Sequence, residues 1–241
     1  MKKFLLLIVG VFLSAKTLWL YCGVTMKQPM LEIAHKFEEL HPGVKVRHLF
    51  GSSGVLYKKI LTLRKADLYL PGSDKFIKKN PSLFIKGAEL GYNQLAIFVP
   101  KGNPKNVQTL SDFAKPSINT GLGSEHSSVG KASKSALVKY GGKVFYQKIR
   151  NKSEIFSASA DMYDALVHNE IDAGLNWKAT YYWGENSKKV DFIEIPTLYA
   201  PKKKLILAIT KYSKDKNLAQ QFLDFASSKE GLAIMKKWGF R

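Results

Sequence analysis

Short apolar runs and helical apolar patterns alternate along the first third of the chain. Three runs have the length and composition of buried strands: residues 18–22, 44–49 and 67–70. Between them, apolar residues recur at helical spacing over residues 30–40 and again at Leu56, Ile60 and Leu63. The order strand, helix, strand, helix, strand predicts a parallel sheet with right-handed crossovers.

A second set of alternating elements begins after a long β-rich run at residues 91–99. Its strands are expected at residues 118–122, 155–156, 173–177 and 190–195, with helical patterns at 129–140 and 162–166 between the first three. Another long strand is expected at residues 204–210, and two amphipathic helices close the chain.

This organisation predicts an α/β protein of two lobes, each a mostly parallel sheet flanked by helices, joined by two crossing strands. We expect residues 16–91 and 201–241 to form a discontinuous first lobe and residues 92–200 to form the second. A binding cleft between the lobes follows from such an arrangement.

The turn Phe50-Gly51-Ser52-Ser53-Gly54 joins a predicted strand to a predicted helix. Its glycines let the backbone bend and approach a ligand closely, and its hydroxyls lie beside the free amides of a helix start. Such a helix start favours an anion through its amides and its dipole. The same residues also serve as an ordinary serine N-cap, so this turn alone leaves both interpretations open.

Similar turns elsewhere favour the anion. Hydroxyl side chains follow four predicted strands, as Thr25, Ser52 with Ser53, Ser127 with Ser128, and Ser157 with Ser159. In open α/β sheets the carboxyl ends of the strands form the ligand-binding edge. We therefore predict a small anion held by neutral hydroxyl and amide donors, with two turns from each lobe.

The net charge indicates which partners the protein could bind, and the N-terminal sequence indicates where in the cell it is located. Lys and Arg number 38 against 19 Asp and Glu, a net charge of +19 that would speed encounters with an anion. The lysines are scattered along the chain and do not form a stripe with aromatic residues between them, as a nucleic-acid-binding surface would. The first residues are basic and an apolar run follows at residues 4–13, which is the pattern of a signal peptide. We expect cleavage after Ala15, a monomeric periplasmic protein, and no nucleic-acid partner.

No cofactor is predicted. Cys22 is the single cysteine and lies in a predicted buried strand, so we interpret it as a core residue. The five histidines have no paired ligand spacing, which gives a zinc site little support. A catalytic role is also not expected, because the chain has no G-x-S-x-G turn and no phosphate-binding loop motif.

Nearly all of the mature chain resembles the class II periplasmic binding proteins of the molybdate/tungstate ABC importers. The segments that carry the resemblance are residues 24–30, 50–56, 66–70, 99–104 and 237–240. It implies a two-lobe hinged receptor that delivers an oxyanion to a membrane permease. Matched by position, the oxyanion contacts of that family fall on Thr25, Ser53, Val129, Ser159 and Trp177. Trp177 departs from the family pattern, which has a tyrosine hydroxyl there.

Two alternatives concern the ligand. Relatives that look similar bind sulfate or phosphorylated small acids, so another anion is one alternative. The other is ferric ion, because Tyr181 and Tyr182 resemble the paired tyrosines of two-lobe iron receptors. The same two rings would equally pack a short helix against the sheet.

Overall fold

The computed structural model describes residues 16–157 and 159–240, and of Ser159 only the backbone. The signal peptide expected at residues 1–15 lies outside the described residues. The strands are β1 (Lys16–Gly23), β2 (Val44–Gly51), β3 (Leu68–Leu70), β4 (Phe84–Asn93), β5 (Leu95–Pro100), β6 (Thr120–Gly123), β7 (Glu154–Phe156), β8 (Ala173–Trp177), β9 (Val190–Glu194) and β10 (Lys203–Thr210). The helices are α1 (Lys27–Leu40), α2 (Ser53–Leu63), α3 (Lys75–Lys79), α4 (Ser128–Lys152), α5 (Ser159–Val167), α6 (Asn186–Lys189), α7 (Lys216–Ala226) and α8 (Lys229–Lys237).

The first sheet has the strand order β2-β1-β3-β10-β4. Strands β1, β2 and β3 are parallel, β10 is antiparallel to β3, and β4 is antiparallel to β10. Four of its strands therefore run in one direction and β10 runs in the other. The sheet thus takes strands from both ends of the chain.

The second sheet repeats this plan with the order β7-β6-β8-β5-β9. Strands β6, β7 and β8 are parallel, β5 is antiparallel to β8, and β9 is antiparallel to β5. The chain passes between the sheets twice, from β4 to β5 at Gln94 and from β9 to β10 over residues 195–202. The predicted two-lobe α/β fold is confirmed, and the exact lobe boundaries stay a prediction.

Each sheet has an apolar cluster on both faces. Helices α1, α7 and α8 cover one face of the first sheet around Phe37 and Phe222, and α2 covers the other around Tyr69. Helix α4 packs on one face of the second sheet and α5 on the other. Burial on both faces explains why β1, β5 and β8 appear in the sequence as continuous apolar runs rather than alternating ones.

The structure corrects several details of the predicted elements. Strand β4 begins at Phe84, whereas the sequence pattern indicated a strand only from residue 91, because Lys86, Gly87 and Glu89 interrupt the apolar run. Leu40 and Leu63 were placed on the buried faces of their helices, but they are 63% and 57% exposed. Each is the last residue of its helix, so no further turn covers it.

Two further sequence predictions concern Cys22 and the membrane. Cys22 is fully buried in β1, as expected of a core residue, and burial raises the pKa of its thiol. Across the described ranges, no helix has both the length and the apolar content that a membrane crossing requires.

Candidate functional site

The carboxyl ends of β1, β2 and β3 lie side by side at one edge of the first sheet. Gly23 pairs with Gly51, and Cys22 pairs with both Phe50 and Leu70. The turns that follow these strands therefore meet. This register brings Thr25 together with Ser52 and Ser53, as the sequence predicted for the ligand-binding edge.

Ser53 is fixed from two sides by β3 and the turn after it. The Tyr69 hydroxyl donates to the Ser53 carbonyl oxygen at 2.7 Å, and the Gly72 amide donates to Ser53 Oγ at 3.0 Å. Burial raises the pKa of Tyr69, so its phenol stays protonated as this donor. Because Oγ accepts from Gly72, the Ser53 hydroxyl proton remains available to a ligand, and it has no acceptor among the described residues.

Ser52 and Thr25 are less constrained. Ser52 is the N-cap residue of α2 but makes no capping hydrogen bond with its side chain, which is exposed. The amides of Ser53 and Gly54 thus lack an acceptor within the described part of the chain. Thr25 lies half-buried in a 3-10 turn, where Oγ1 donates to the Met26 sulfur at 3.0 Å. Since a thioether is a weak acceptor, an anion would readily displace it.

The second sheet presents the same arrangement at the ends of β6 and β7. Gly123 pairs with Phe156, and the Ser124 amide donates to the Phe156 carbonyl at 2.8 Å. This register brings the turn before α4 beside the start of α5. Ser159 is the first residue of α5, and Ala158 before it lies outside the described residues.

The cap of α4 is Ser127, a residue that the sequence pattern placed in the turn without assigning it this role. Its Oγ accepts from the Gly130 amide at 3.0 Å and donates to the Ser124 carbonyl at 2.7 Å. Ser128 is exposed, and Val129 is 4% exposed. In the described residues the amides of Ser128 and Val129 have no acceptor, so the donor that Val129 offers is its backbone amide, and its contact with an anion stays a prediction.

Trp177 ends β8 at the same edge of the second sheet. It is 4% exposed, and its own amide donates to Asn176 Oδ1 at 2.8 Å. Its indole N–H donates to no described residue. The ring instead contacts the ammonium of Lys203, whose Nζ lies 5.1 Å from the ring centroid.

The alternative metal residues, Tyr181 and Tyr182, pack on apolar neighbours. Their ring centroids are 5.2 Å apart with an interplanar angle of 82°. Tyr181 packs on Phe192 at 4.9 Å, and the Tyr182 ring lies against Gly239. Within the described ranges, no group of three or more His, Cys, Asp or Glu side chains is placed to hold a metal ion.

A separate cavity of about 370 Å³ lies in the second lobe between α5 and residues 180–186. Tyr163, Asp164 and Trp183 contribute to its lining, and Trp183 Nε1 is buried without an acceptor in the described ranges. Its lining includes none of the candidate residues. We therefore base the site on the strand ends, where the free donors lie.

Sequence reasoning missed Lys203 because it counted the lysine run 202–204 as solvated surface. The signal was present in β10, where Leu205 and Leu207 are buried and the two-residue period puts Lys203 on their face. Asn93 was also missed, because it lies inside the β-rich run at residues 91–99 and was interpreted only as part of a crossing strand.

Comparison with known proteins agrees with this architecture. The family model for bacterial extracellular solute-binding proteins matches residues 18–241. YvgL of Bacillus subtilis, assigned as an ABC transporter substrate-binding lipoprotein, is 25% identical over 236 residues, which cover 93% of this chain and 86% of YvgL.

Two solved structures show the same fold. The substrate-binding domain assigned to a molybdenum ABC transporter of Clostridium difficile superimposes with a TM-score of 0.79 at 18% identity, covering 93% of this chain and 98% of that one. The sulfate-binding protein SubI of Mycobacterium tuberculosis has a TM-score of 0.76 at 19% identity, covering 94% and 86%.

The chain therefore belongs to the bacterial extracellular solute-binding protein family. Its homologues are substrate-binding proteins of transporters, so the protein is a binding protein and not an enzyme.

Proposed function

We propose that this protein is the receptor of an ABC importer and that it captures a small tetrahedral oxyanion of the molybdate/tungstate type. The observation that carries the proposal is the set of uncommitted donors at the strand ends of both sheets. In the first lobe these are the Ser53 hydroxyl and the amides at the start of α2. In the second lobe they are the amides at the start of α4.

A fully deprotonated oxyanion offers only acceptors, so it is complementary to a site that offers only donors. Helices α1, α2, α4 and α5 all begin at these edges and direct the positive ends of their dipoles toward them. Thr25, Ser52, Ser53, Ser128, Val129 and Ser159 are the contacts that we propose. Trp177 would line the site rather than copy a tyrosine hydroxyl.

The supporting relatives extend the proposal to location and partners. The similar proteins include an ABC transporter lipoprotein, a domain of a molybdenum transporter and a sulfate-binding protein. We propose that the protein is a periplasmic monomer from which residues 1–15 are cleaved. Its second lobe, residues 92–200, would close onto the first lobe, residues 16–91 and 201–241. The closed form would then dock on an inner-membrane permease. Sulfate and a phosphorylated small acid remain the alternative ligands.

A thermal-shift panel tests the proposal, with molybdate, tungstate, sulfate, phosphate, phosphoglycerate and ferric citrate. One tetrahedral oxyanion should raise the melting temperature at low micromolar concentration, because a ligand at 100 times its Kd stabilises by about 2.7 kcal/mol. No shift with any of the anions would contradict the proposal. A shift and a purple colour with ferric citrate alone would favour iron at Tyr181 and Tyr182.

A further inference from the structure

Lys203 lies at the ligand-binding edge of the first sheet. It is the first residue of β10, which runs antiparallel to β3, so it lies beyond the carboxyl end of β3 and opposite Asn93, the last residue of β4. The Asp74 amide donates to the Lys204 carbonyl at 3.0 Å, which ties the turn after β3 to this end of β10. Lys203 is therefore a neighbour of the turn that contains Gly72, the residue that holds Ser53 Oγ.

The ammonium of Lys203 has no carboxylate partner in the described structure. Nearby acidic side chains form salt bridges with other lysines: Glu89 with Lys204, Glu194 with Lys178 and Asp74 with Lys78. The side chain is half-buried, and burial lowers the pKa of Lys203, with the charge of Lys75 lowering it further. A partly desolvated cation without a counter-ion is unfavourable, and an anion nearby would relieve the cost.

The contact between Lys203 and Trp177 joins the ligand-binding edges of the two lobes. Trp177 ends β8 of the second sheet, and Lys203 Nζ lies 5.1 Å from its ring centroid. The cation therefore lies where a residue of the first sheet contacts a residue of the second. Both residues pack against strands that carry the chain from one lobe to the other.

A second polar group beside Lys203 also lacks a partner. Asn93 pairs with Lys203 across β4 and β10, and such cross-strand partners project to the same face of the sheet. Asn93 is 3% exposed, yet its Oδ1 has no hydrogen-bond partner among the residues that the structure describes. The amide oxygen is an acceptor, so an oxyanion cannot pair with it; Asn93 shows that the face of the sheet that carries Lys203 is polar and buried, and the group there that can pair with an anion is the Lys203 ammonium.

We propose that Lys203 is the counter-ion of the bound anion and that it makes the site select doubly charged tetrahedral anions over singly charged anions of the same shape. The inference rests on the proposed function, because it places the anion in the same cleft. The Coulomb attraction between a fixed cation and an anion doubles when the charge of the anion doubles. Two tetrahedral anions of the same size that differ in charge therefore differ in this attraction, while their shape and hydrogen-bond geometry are the same.

Two isosteric pairs separate charge from shape: tungstate with perrhenate, and sulfate with perchlorate. Isothermal titration of the full mature protein at one fixed ionic strength gives the ratio of Kd values within each pair. We expect the wild type to prefer the doubly charged member. Lys203→Met should weaken binding of the doubly charged anion by about 10- to 100-fold and reduce the preference, since a hydrogen bond to a charged group contributes that much.

The matched control is Lys202→Met, which removes the same net charge from an exposed neighbour whose Nζ lies 5.8 Å from the Tyr92 ring centroid. It should leave both Kd values within about threefold, because surface charges are screened. If Lys203→Met and Lys202→Met behave alike while the wild type binds tungstate or sulfate, the inference is wrong and the proposed function stands. If the wild type binds none of the four anions, the proposed function itself fails.

Discussion

At the scale of single residues, the structure separates hydroxyls that serve the fold from hydroxyls that remain free. Ser127 donates and accepts within its own turn, so it closes the start of α4. Ser53 accepts from Gly72 and keeps its proton for a ligand. Their neighbours along the chain are equally hydroxylated, so the sequence alone could not assign these roles: that of Ser127 depends on the local turn conformation, and that of Ser53 on the tertiary position of Gly72.

Ser53→Ala removes one half-buried donor from the proposed anion site. We expect the free energy of anion binding to weaken by about 1–3 kcal/mol, measured by titration calorimetry. The variant also loses the acceptor of the Gly72 amide, so its melting temperature should be recorded without ligand.

Ser82→Ala is the matched control, because Ser82 precedes β4 and so lies toward the opposite edge of the first sheet. Its hydroxyl donates to Asn80 Oδ1 at the surface. Affinity that is unchanged in Ser53→Ala, or reduced equally in Ser82→Ala, would contradict the role of Ser53.

At the scale of elements, the turn between β6 and α4 requires a glycine where the backbone approaches most closely. A Cβ added at Gly130 would lie 2.0 Å from the Ser124 carbonyl oxygen and 2.4 Å from the Gly123 carbonyl oxygen. Both neighbours are backbone atoms, so the turn itself would have to move. That turn presents the amides of Ser128 and Val129.

Gly130→Ala should therefore lower both the melting temperature and the affinity for the anion. Gly54→Ala is the comparison, since a Cβ at Gly54 has its nearest neighbour at 4.0 Å, in the Phe76 ring. It should fold as stably as the wild type or more so, because alanine favours a helix over glycine by roughly 0.5–1 kcal/mol. Equal melting temperatures for wild type and Gly130→Ala would show that the turn accommodates a side chain.

The periodic elements were the most predictable part of this molecule. Continuous apolar runs at residues 18–22 and 173–177 predicted β1 and β8 because both faces of each sheet are covered. The first half of β4 was not predictable in this way, because Lys86 and Glu89 lie near the edge of the sheet and break the apolar pattern. An edge strand contributes fewer buried residues to the core, so its apolar pattern in the sequence is weaker.

At the scale of the whole molecule, the first lobe depends on contacts between the two ends of the chain. Glu32 on α1 accepts from Trp238 Nε1 at 2.8 Å and from Lys237 Nζ at 2.9 Å, at the end of α8. Burial would raise the pKa of Glu32, but the bonds from Trp238 and Lys237 outweigh it and the pKa is lowered. A lowered pKa means that the ionised carboxylate stabilises the fold above the unfolded pKa, and that this stability is lost as the pH falls.

Glu32→Gln should melt at a lower temperature than the wild type at pH 7, and the difference should shrink as the pH falls below about 4. Differential scanning calorimetry over pH 3 to 7 gives the comparison. Glu39→Gln on the same helix is the control, because Glu39 is 62% exposed and its ion pair is with exposed His35. A difference for Glu32→Gln that is independent of pH would contradict the ion pair.

The two-lobe architecture followed from the order of the elements, whereas the chemistry at the hinge did not. Lys203 and Asn93 meet because β10 returns from the second lobe to pair with β4, a contact between residues that are distant in sequence. No local pattern marks either residue as part of a site. Their unpaired polar groups become visible only when burial and partners are known.

The most direct test of the account is the position of tungsten in crystals of the protein grown with tungstate, located by its anomalous scattering. We predict a single strong peak between the Ser53 hydroxyl and the Val129 amide, with Thr25 and Lys203 beside it. A peak in the cavity near Tyr163 and Trp183, or scattered peaks on surface lysines with none at the strand ends, would contradict the account.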